Sequence, residues 1–286
     1  MRKRVLIVYK KSSYEANALD KKDRNYLRLL KERNVAILRS KATHDIHIRS
    51  LERVKQSLKN IKIPFDIQER FQPIPSGKYS LVVTVGGDGT FLETSHYLKA
   101  DEVLMGINSV PEESVGFFCH STAGNFLKKM ELFFQKRLRT RILHRLQISI
   151  DGKKVGPPIL NDLLFTSLNP AGTTRYLLKI GKTREEQKSS GIWVSPAPGS
   201  TAATLSAGGR RLSPTSRKLQ YVVREPYEPK KPYRLIRKVF NPDQRLEIIS
   251  MMDEAAACID GPHLVYPVRR GSRIVIQNAK LPIRVI

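Results

Sequence analysis

Hydrophobic residues alternate between strand-like and helix-like spacings over about the first 125 residues. Short apolar runs at Val5–Tyr9, Leu81–Val85 and Val103–Ile107 are typical of strands that are covered on both faces. Apolar positions at helical spacing predict helices over about Ala16–Arg33 and Thr43–Asn60. This alternation indicates a parallel sheet with crossover helices, and therefore an α/β, Rossmann-like domain.

The pattern changes after a helix that the sequence predicts over Ser121–Leu138. Short β runs then recur between turn sequences such as Asp151-Gly152 and Asp260-Gly261. The predicted strands are Leu146–Ile150, Ile159–Thr166, Tyr176–Ile180, Ile192–Ser195, Leu219–Val223, Leu246–Ser250, Ala256–Ile259, His263–Tyr266, Arg273–Gln277 and Pro282–Ile286. We therefore predict an α/β domain over residues 1–125 and a β-rich, β-sandwich-like domain over residues 126–286, with an active site between them. The last strands could instead pack back toward the first domain.

The strand Leu81–Val85 runs directly into a glycine-rich turn, Gly86-Gly87-Asp88-Gly89-Thr90, and then into a helix-like segment. Glycines lack a Cβ atom, so backbone N–H groups can approach phosphate oxygens closely. The start of the following helix adds a favourable positive potential. We predict that Gly86, Gly87, Gly89 and Thr90 bind nucleotide phosphates.

Asp88 places an acid in the middle of this turn. A carboxylate repels a polyanion unless it binds a metal or accepts a proton from an attacking hydroxyl. The sequence therefore predicts a catalytic role for Asp88, and the alternative is that it only caps the helix.

Two further segments carry polar residues among apolar ones. Asn161-Asp162 lies inside the run Ile159–Phe165, where unpartnered polar side chains are costly. The pair either binds a ligand or is satisfied by backbone at a strand end. The segment Ser189–Gly209 predicts a strand, a Pro/Gly turn and a short helix, with small residues that leave room for a flat ring.

The chain carries 51 basic and 26 acidic residues, a formal charge of +25. Such a surface attracts polyanions, although a basic surface that is simply solvated is the favoured interpretation. No RNA-recognition signature or zinc-finger spacing accompanies the charge, so nucleic acid is not an expected partner.

Two isolated cysteines, Cys119 and Cys258, form neither a disulfide framework nor a metal-binding spacing. They predict a reducing, cytoplasmic setting. No apolar stretch approaches the roughly 20 residues of a membrane helix, so no membrane association is expected.

The ordered motifs resemble those of the NAD kinase family. The matching motifs are the turn 86–90, Gly106-Ile107-Asn108 with Gly116-Phe117, Asn161-Asp162, Gly199-Ser200-Thr201-Ala202, Leu205–Gly209, and Ile259-Asp260-Gly261. They run in family order from about residue 80 to the end of the sequence. The glycine turn alone is shared with lipid and sugar kinases, whereas the ordered set is far more specific.

The resemblance implies transfer of the ATP γ-phosphate to the 2′-hydroxyl of the adenosine ribose of NAD, with Mg²⁺. Asp88 would be the base or would orient the hydroxyl, and no residue is assigned as a metal ligand. The residues implied in NAD binding are Asp88, Gly89, Phe117, Asn161, Asp162, Ser190, Thr201, Ala202 and Ser206. The resemblance also implies a homo-oligomer, either a dimer or a tetramer.

Several positions depart from the family pattern. Ser190 stands where the family usually has an aspartate near the nicotinamide, and Ala203 replaces a tyrosine. An insertion at about Val110–Ser114 interrupts the stretch from Asn108 to Phe117. NADH could therefore be the preferred acceptor. The alternatives are a related kinase of a lipid or another nucleoside, and a non-catalytic protein that binds nucleotides or polyanions.

Overall fold

A computed structural model describes residues 4–99, 102–227 and 232–286. The chain divides into two units, Met1–Arg141 together with Arg284–Ile286, and Ile142–Ile283. The strands, in chain order, are β1 (Val5–Tyr9), β2 (Phe65–Glu69), β3 (Leu81–Gly86), β4 (Val103–Asn108), β5 (Ser121–Thr122), β6 (Arg141–Leu143), β7 (Leu146–Ile150), β8 (Lys153–Ile159), β9 (Leu163–Ser167), β10 (Thr174–Ile180), β11 (Thr183–Ser189), β12 (Gly191–Pro196), β13 (Leu219–Arg224), β14 (Arg237–Phe240), β15 (Leu246–Ser250), β16 (Ala255–Ile259), β17 (Leu264–Val268), β18 (Arg273–Asn278) and β19 (Ile283–Val285).

The α-helices are α1 (Arg24–Lys31), α2 (Val35–Asn60), α3 (Asp88–Ser95), α4 (Phe126–Phe134) and α5 (Ala203–Ser206). A π-helical segment spans Glu15–Asp20, and a 3₁₀ turn spans Pro198–Thr201. No helix in the described part of the chain has the length and apolar content needed to cross a membrane.

The first unit is built on a parallel sheet with the strand order β2-β1-β3-β4-β19, and the short β5 also pairs with β4. All residues of β3 and β4 are buried. Leu51 and Leu58 of α2 and Phe126 of α4 share one hydrophobic core with β1, β3 and β4. The continuous apolar strands of the sequence reflect this burial, since parallel strands are covered on both faces.

The second unit contains two antiparallel six-stranded sheets, β11-β10-β15-β18-β7-β8 and β14-β13-β12-β9-β16-β17. One core cluster takes residues from both sheets, so they pack face to face. The rings of Phe165 on β9 and Tyr176 on β10 meet edge to face across this core, 5.6 Å apart. The predicted α/β fold followed by a β-rich part is confirmed.

Some boundaries differ from the expectations, each for a local reason. The helix predicted over Ala16–Arg33 is divided, because the Asp23 side chain accepts the N–H of Tyr26 and starts α1 there. The sequence assigned residues from 126 onward to the second domain. Helix α4 nevertheless belongs to the first unit, because Phe126 and Met130 are buried in its core.

Candidate active site

The glycine turn lies where β3 ends and α3 begins. Gly87 occupies the N-cap position of α3, and Asp88 is the first helical residue. A Cβ atom added to Gly86 would lie 2.4 Å from Oγ1 of Thr90, so only glycine fits there. The Thr90 side chain is buried, whereas a Cβ added to Gly89 would meet nothing within 4 Å. The turn therefore exposes open space along the backbone at Gly89, as binding of a phosphate would require.

Asp88 is tied to a neighbouring loop by both of its carboxylate oxygens. Oδ2 accepts the backbone N–H of Phe117 and Oδ1 accepts that of Phe118, each at 2.8 Å. The Phe118 ring stacks on Phe91 of α3, with 5.4 Å between ring centroids. These contacts fix both the carboxylate and Phe117 at the start of α3, whereas the N-cap position is occupied by Gly87 and has no side-chain cap hydrogen bond.

Asn108, the last residue of β4, organises the first part of the same loop. Its Nδ2 donates to the carbonyl of Ser114 at 3.0 Å, and its Oδ1 accepts the N–H of Val110 at 3.2 Å. Gly116 has φ +61°, and an added Cβ would lie 2.5 Å from Nδ2 of Asn108. The segment 110–114, which the sequence comparison with the family pattern predicts to be an insertion, is thus part of a loop that the Asn108 amide holds together.

Asn161 and Asp162 lie immediately before β9 rather than inside a strand. The Asp260 carboxylate accepts hydrogen bonds from both of their backbone N–H groups. Oδ1 of Asp260 accepts from Asn161 at 2.7 Å and from Asp162 at 3.1 Å. Oδ2 accepts from Leu160 at 3.1 Å. The N–H of Asp260 donates in return to the carbonyl of Asp162 at 2.9 Å. A single carboxylate therefore sets the backbone of the predicted ribose-binding pair.

Two ionisable side chains in this region, those of Asp162 and Arg145, are buried. The Asp162 side chain is 5% exposed, and burial, with a further effect of the Asp260 charge, raises its pKa to about 7. Burial lowers the pKa of Arg145 to about 10, while the Asp260 charge acts in the opposite direction. Arg145 is 1% exposed, and its guanidinium also donates to the carbonyl of Leu281. The sequence predicted no role for Arg145, because a single arginine in a basic stretch carries no signal of burial.

The third predicted segment packs on Asn161 through a glycine. A Cβ added to Gly199 would lie 1.6 Å from the carbonyl oxygen of Asn161, so the two backbones are in direct contact. Thr201 ends the 3₁₀ turn that contains Gly199, and Ala202 is the N-cap residue of α5. Ser206 is exposed at the end of that helix. Thr201 and Ala202 therefore come two and three residues after Gly199, whose backbone is held against that of Asn161.

Ser190 occupies the bend between β11 and β12. Its N–H donates to the carbonyl of Arg224 at 3.0 Å, and its own carbonyl accepts the Thr166 hydroxyl at 3.1 Å. The side chain is partly exposed. The structure fixes the Ser190 backbone through these bonds, and its role toward a nicotinamide ring stays a prediction.

The resemblance implies Mg²⁺, and the side chains near the glycine turn determine how such an ion would be held. Within the described ranges, no three His, Cys, Asp or Glu side chains form a group that could hold a metal ion. Each Asp88 oxygen accepts one N–H and keeps further acceptor capacity. Mg²⁺ usually keeps several waters and binds one or two carboxylates plus substrate phosphates. The residues present therefore fit an ion that arrives on the donor phosphates, with Asp88 as the nearby carboxylate.

A parallel sheet that ends in a glycine-rich turn with a fixed aspartate, joined to a β-rich unit, defines a class of nucleotide-dependent phosphotransferases. The family model described as "ATP-NAD kinase N-terminal domain" matches residues 5–137. A protein named "NADH kinase" from Arabidopsis thaliana is 30% identical over 226 residues, 71% of each chain. A "Probable NADH kinase" from Oryza sativa is 29% identical over 266 residues, 84% of this chain and 81% of that protein.

Two solved structures share the fold. The crystal structure of yeast NADH kinase complexed with NADH matches with TM-score 0.71 at 14% identity, over 99% of this chain and 82% of that one. The NAD kinase from Archaeoglobus fulgidus in complex with ATP matches with TM-score 0.69 at 20% identity, over 99% and 92%. The chain belongs to the NAD kinase family.

Proposed function

We propose that this chain transfers the γ-phosphate of ATP to the 2′-hydroxyl of the adenosine ribose of NADH, with NAD as a second acceptor. The observation that carries this proposal is the Asp88 carboxylate, held at the glycine turn by the N–H groups of Phe117 and Phe118. Membership of the NAD kinase family supports NAD(H) kinase activity over the lipid or nucleoside kinase and over the non-catalytic binding protein.

Asp88 is proposed to accept a hydrogen bond from the attacking 2′-hydroxyl. It takes the hydroxyl proton as the bond from that oxygen to the γ-phosphorus forms, while the bond from the γ-phosphorus to the β–γ bridging oxygen breaks and ADP leaves. A carboxylate has about four acceptor positions, so the two N–H groups and the Cys119 thiol, which also hydrogen-bonds to Asp88, leave capacity for the attacking hydroxyl. Phosphoryl transfer depends mainly on positioning and charge neutralisation, so one oriented carboxylate is sufficient on the protein side.

Asn161 and Asp162 are proposed to bind the ribose hydroxyls of the acceptor. The Asn161 amide donates to Oδ2 of Asp162 at 2.9 Å, which orients both side chains as one unit. Thr201 and Ala202 are proposed to contact the acceptor as well, because they closely follow Gly199, whose backbone lies against the Asn161 carbonyl.

The preference for NADH rests on the charge of the nicotinamide ring. The oxidised ring is cationic and the reduced ring is neutral, so a nearby carboxylate favours NAD by Coulomb attraction. The aspartate that family members usually carry there is Ser190 in this chain, which removes that attraction. The names of the two plant relatives are consistent with a reduced acceptor.

Three finer features belong to the proposal. Mg²⁺ would enter with the donor phosphates and neutralise their charge, and Asp88 would bind its waters. The family resemblance supports a homo-oligomer, either a dimer or a tetramer. The free cysteines Cys119 and Cys258 support a cytoplasmic setting, because reducing compartments keep thiols unpaired.

The test is a product assay on the purified chain with Mg·ATP and either NADH or NAD. Phosphorus NMR of the product distinguishes a 2′-phosphate from other esters, and an NADP-specific dehydrogenase quantifies it. The proposal predicts a 2′-phosphorylated product from both acceptors and a higher kcat/KM with NADH. Turnover of ATP without any phosphorylated dinucleotide would refute it.

A further inference from the structure

Two cationic side chains lie at the carboxyl edge of the parallel sheet, beside the glycine turn. Lys10 follows β1, Arg70 follows β2, and β3 ends at Gly86. Tyr9 pairs with Glu69 on one side and with Val85 on the other, so the three strand ends are in register. The N–H of Arg70 donates to the carbonyl of Tyr9 at 2.9 Å. Lys10 and Arg70 therefore leave the sheet at the same level as the turn.

A buried histidine ties the Lys10 backbone to the turn. Nε2 of His47 is 3.0 Å from the carbonyl of Lys10, and its Nδ1 is 2.8 Å from Oγ of Ser109. The N–H of Ser109 donates to the carbonyl of Gly86 at 3.0 Å. His47 is 1% exposed, and burial first, then the Lys10 charge, lower its pKa to about 4. The neutral imidazole thereby fixes the position of the Lys10 backbone relative to Gly86.

Among the described residues, the two cations are not held in salt bridges, although the Arg70 charge acts on the buried Glu93 carboxylate. Neither the Lys10 ammonium nor the Arg70 guanidinium forms an ion pair or side-chain hydrogen bond with a residue that the structure describes. Burial lowers the pKa of Lys10, and the charge of Arg70 lowers it further. The nearby Glu93 carboxylate is also buried, and it accepts the backbone N–H of Phe71 at 2.8 Å.

For Lys10 this arrangement costs free energy unless an anion offsets its charge. Desolvation and a like-charged neighbour both disfavour a protonated lysine. Groups whose protonation is perturbed in this way concentrate at functional sites. The Arg70 guanidinium also stacks on the Phe71 ring, 4.5 Å from its centroid, which orients its donors.

We propose that Lys10 and Arg70 bind the polyphosphate of the nucleoside triphosphate donor as it lies on the turn from Gly86 to Gly89. This inference rests on the proposed function, because the glycine turn is its phosphate-binding element. Lys10 supplies a compact charge and Arg70 a planar fork that matches phosphate oxygens. Both residues are proposed to contact only the donor, so replacing them should not change KM for the acceptor dinucleotide.

The experiment compares Lys10→Met and Arg70→Met with the wild type. Affinity for the β,γ-imido analogue of ATP is measured by calorimetry, and KM is measured for ATP and for NADH. We expect each variant to weaken analogue binding and raise KM for ATP about tenfold or more, as loss of a hydrogen bond to a charged group does. KM for NADH should stay within about twofold.

Lys59→Met is the matched control, since it removes one exposed charge from the same unit at the end of α2. Its donor affinity should equal that of the wild type. Lys10→Arg should recover part of the affinity, because it restores the charge. The melting temperature of Lys10→Met should be equal to or above that of the wild type, since an unpaired, partly desolvated cation has been removed.

Unchanged analogue affinity in both methionine variants of an active enzyme would overturn the inference. A lowered melting temperature of Lys10→Met together with equal losses for donor and acceptor would also overturn it, because that pattern indicates a structural role. A wild-type chain that binds no analogue and transfers no phosphate would instead refute the proposed function itself.

Discussion

The Asp260 carboxylate accepts the backbone N–H of Asn161 at 2.7 Å and thereby sets the course of the chain before β9. Asp260 lies in the turn between β16 and β17 with φ +48°, a left-handed conformation that aspartate and asparagine tolerate better than most residues. A hairpin turn that is distant in sequence therefore positions the predicted ribose-binding pair.

Replacing Asp260 should damage both stability and activity. Asp260→Ala leaves three backbone N–H groups without their acceptor and removes a negative charge near buried Arg145. We expect a loss of about 3 kcal/mol or more in the free energy of unfolding. Asp260→Asn should lose less, since it keeps one acceptor and tolerates the positive φ. Urea unfolding should show the free energy of unfolding falling from the wild type to Asp260→Asn and then to Asp260→Ala.

The exposed Asp243 provides the control for that series. Asp243→Ala should change the free energy of unfolding by less than about 0.5 kcal/mol. An Asp260→Ala variant as stable as Asp243→Ala would mean that the three hydrogen bonds do not hold the Asn161 segment.

Gly89→Ala should separate stability from activity. An added Cβ meets no protein atom within 4 Å, and alanine is favoured over glycine in a helix by about 0.5–1 kcal/mol. The variant should therefore be as stable as the wild type or more so. Its KM for ATP should rise at least about tenfold, since the methyl group occupies the space into which a phosphate must fit.

Gly124→Ala serves as the control, because its added Cβ would make only an ordinary contact of 3.5 Å with Oγ1 of Thr122. Steady-state kinetics on both variants measure KM for ATP and test this prediction. Wild-type kinetics in Gly89→Ala would show that no ligand approaches this backbone.

Asp162 should make stability depend on pH. Its pKa in the folded chain is about 7, above the ordinary 3.8, so the folded state favours the protonated acid. The associated stability is present at low pH and is lost as pH rises through 7. Relative to Asp162→Asn, the wild type should lose about 2.5 kcal/mol of unfolding free energy between pH 5 and pH 8.

Denaturant titrations of both proteins at the two pH values provide the measurement. Asp243→Asn should follow the wild type, because that carboxylate is exposed. Parallel pH profiles of wild type and Asp162→Asn would contradict the burial of an ionisable Asp162.

The sequence predicted the elements that carry strong local signals. The apolar runs of β1, β3 and β4 and the glycine turn between β3 and α3 were all recognisable, and so were the short β runs of β7 and β15. Strand β11 was missed because its sequence, TREEQKS, is charged on the exposed face, with burial confined mainly to Gln187 and Ser189. Periodicity of apolar residues cannot indicate such a strand.

Long-range partners explain what the sequence could not show at the candidate site. The bond from Asp260 to Asn161 joins residues 99 positions apart, and the link from His47 to Ser109 spans 62. The two histidines of α2 have different partners, since His47 contacts the Lys10 carbonyl and the Ser109 hydroxyl whereas His44 contacts the Ser12 hydroxyl. No local pattern distinguishes these uses of a histidine.

Ser190→Asp should shift the choice of acceptor. A restored carboxylate near the nicotinamide would attract the cationic ring of NAD and not the neutral ring of NADH. We expect the ratio of kcat/KM for NAD to that for NADH to rise about tenfold, which corresponds to about 1.4 kcal/mol. Ser213→Asp adds the same charge at an exposed position and should leave the ratio unchanged. An unchanged ratio in Ser190→Asp would separate this residue from acceptor selection.

The most direct test of the central claim is the turnover of Asp88→Asn with Mg·ATP and NADH, measured beside the wild type. The substitution keeps the size of the side chain and one acceptor for the Phe117–Phe118 loop, but removes the carboxylate. The account predicts that kcat falls at least about 100-fold, while the affinity for the ATP analogue stays close to wild type and the melting temperature falls by only a few degrees, because one of the two loop N–H groups loses its acceptor. Turnover near the wild-type value in a folded Asp88→Asn variant would contradict the assignment of Asp88 as the reacting carboxylate.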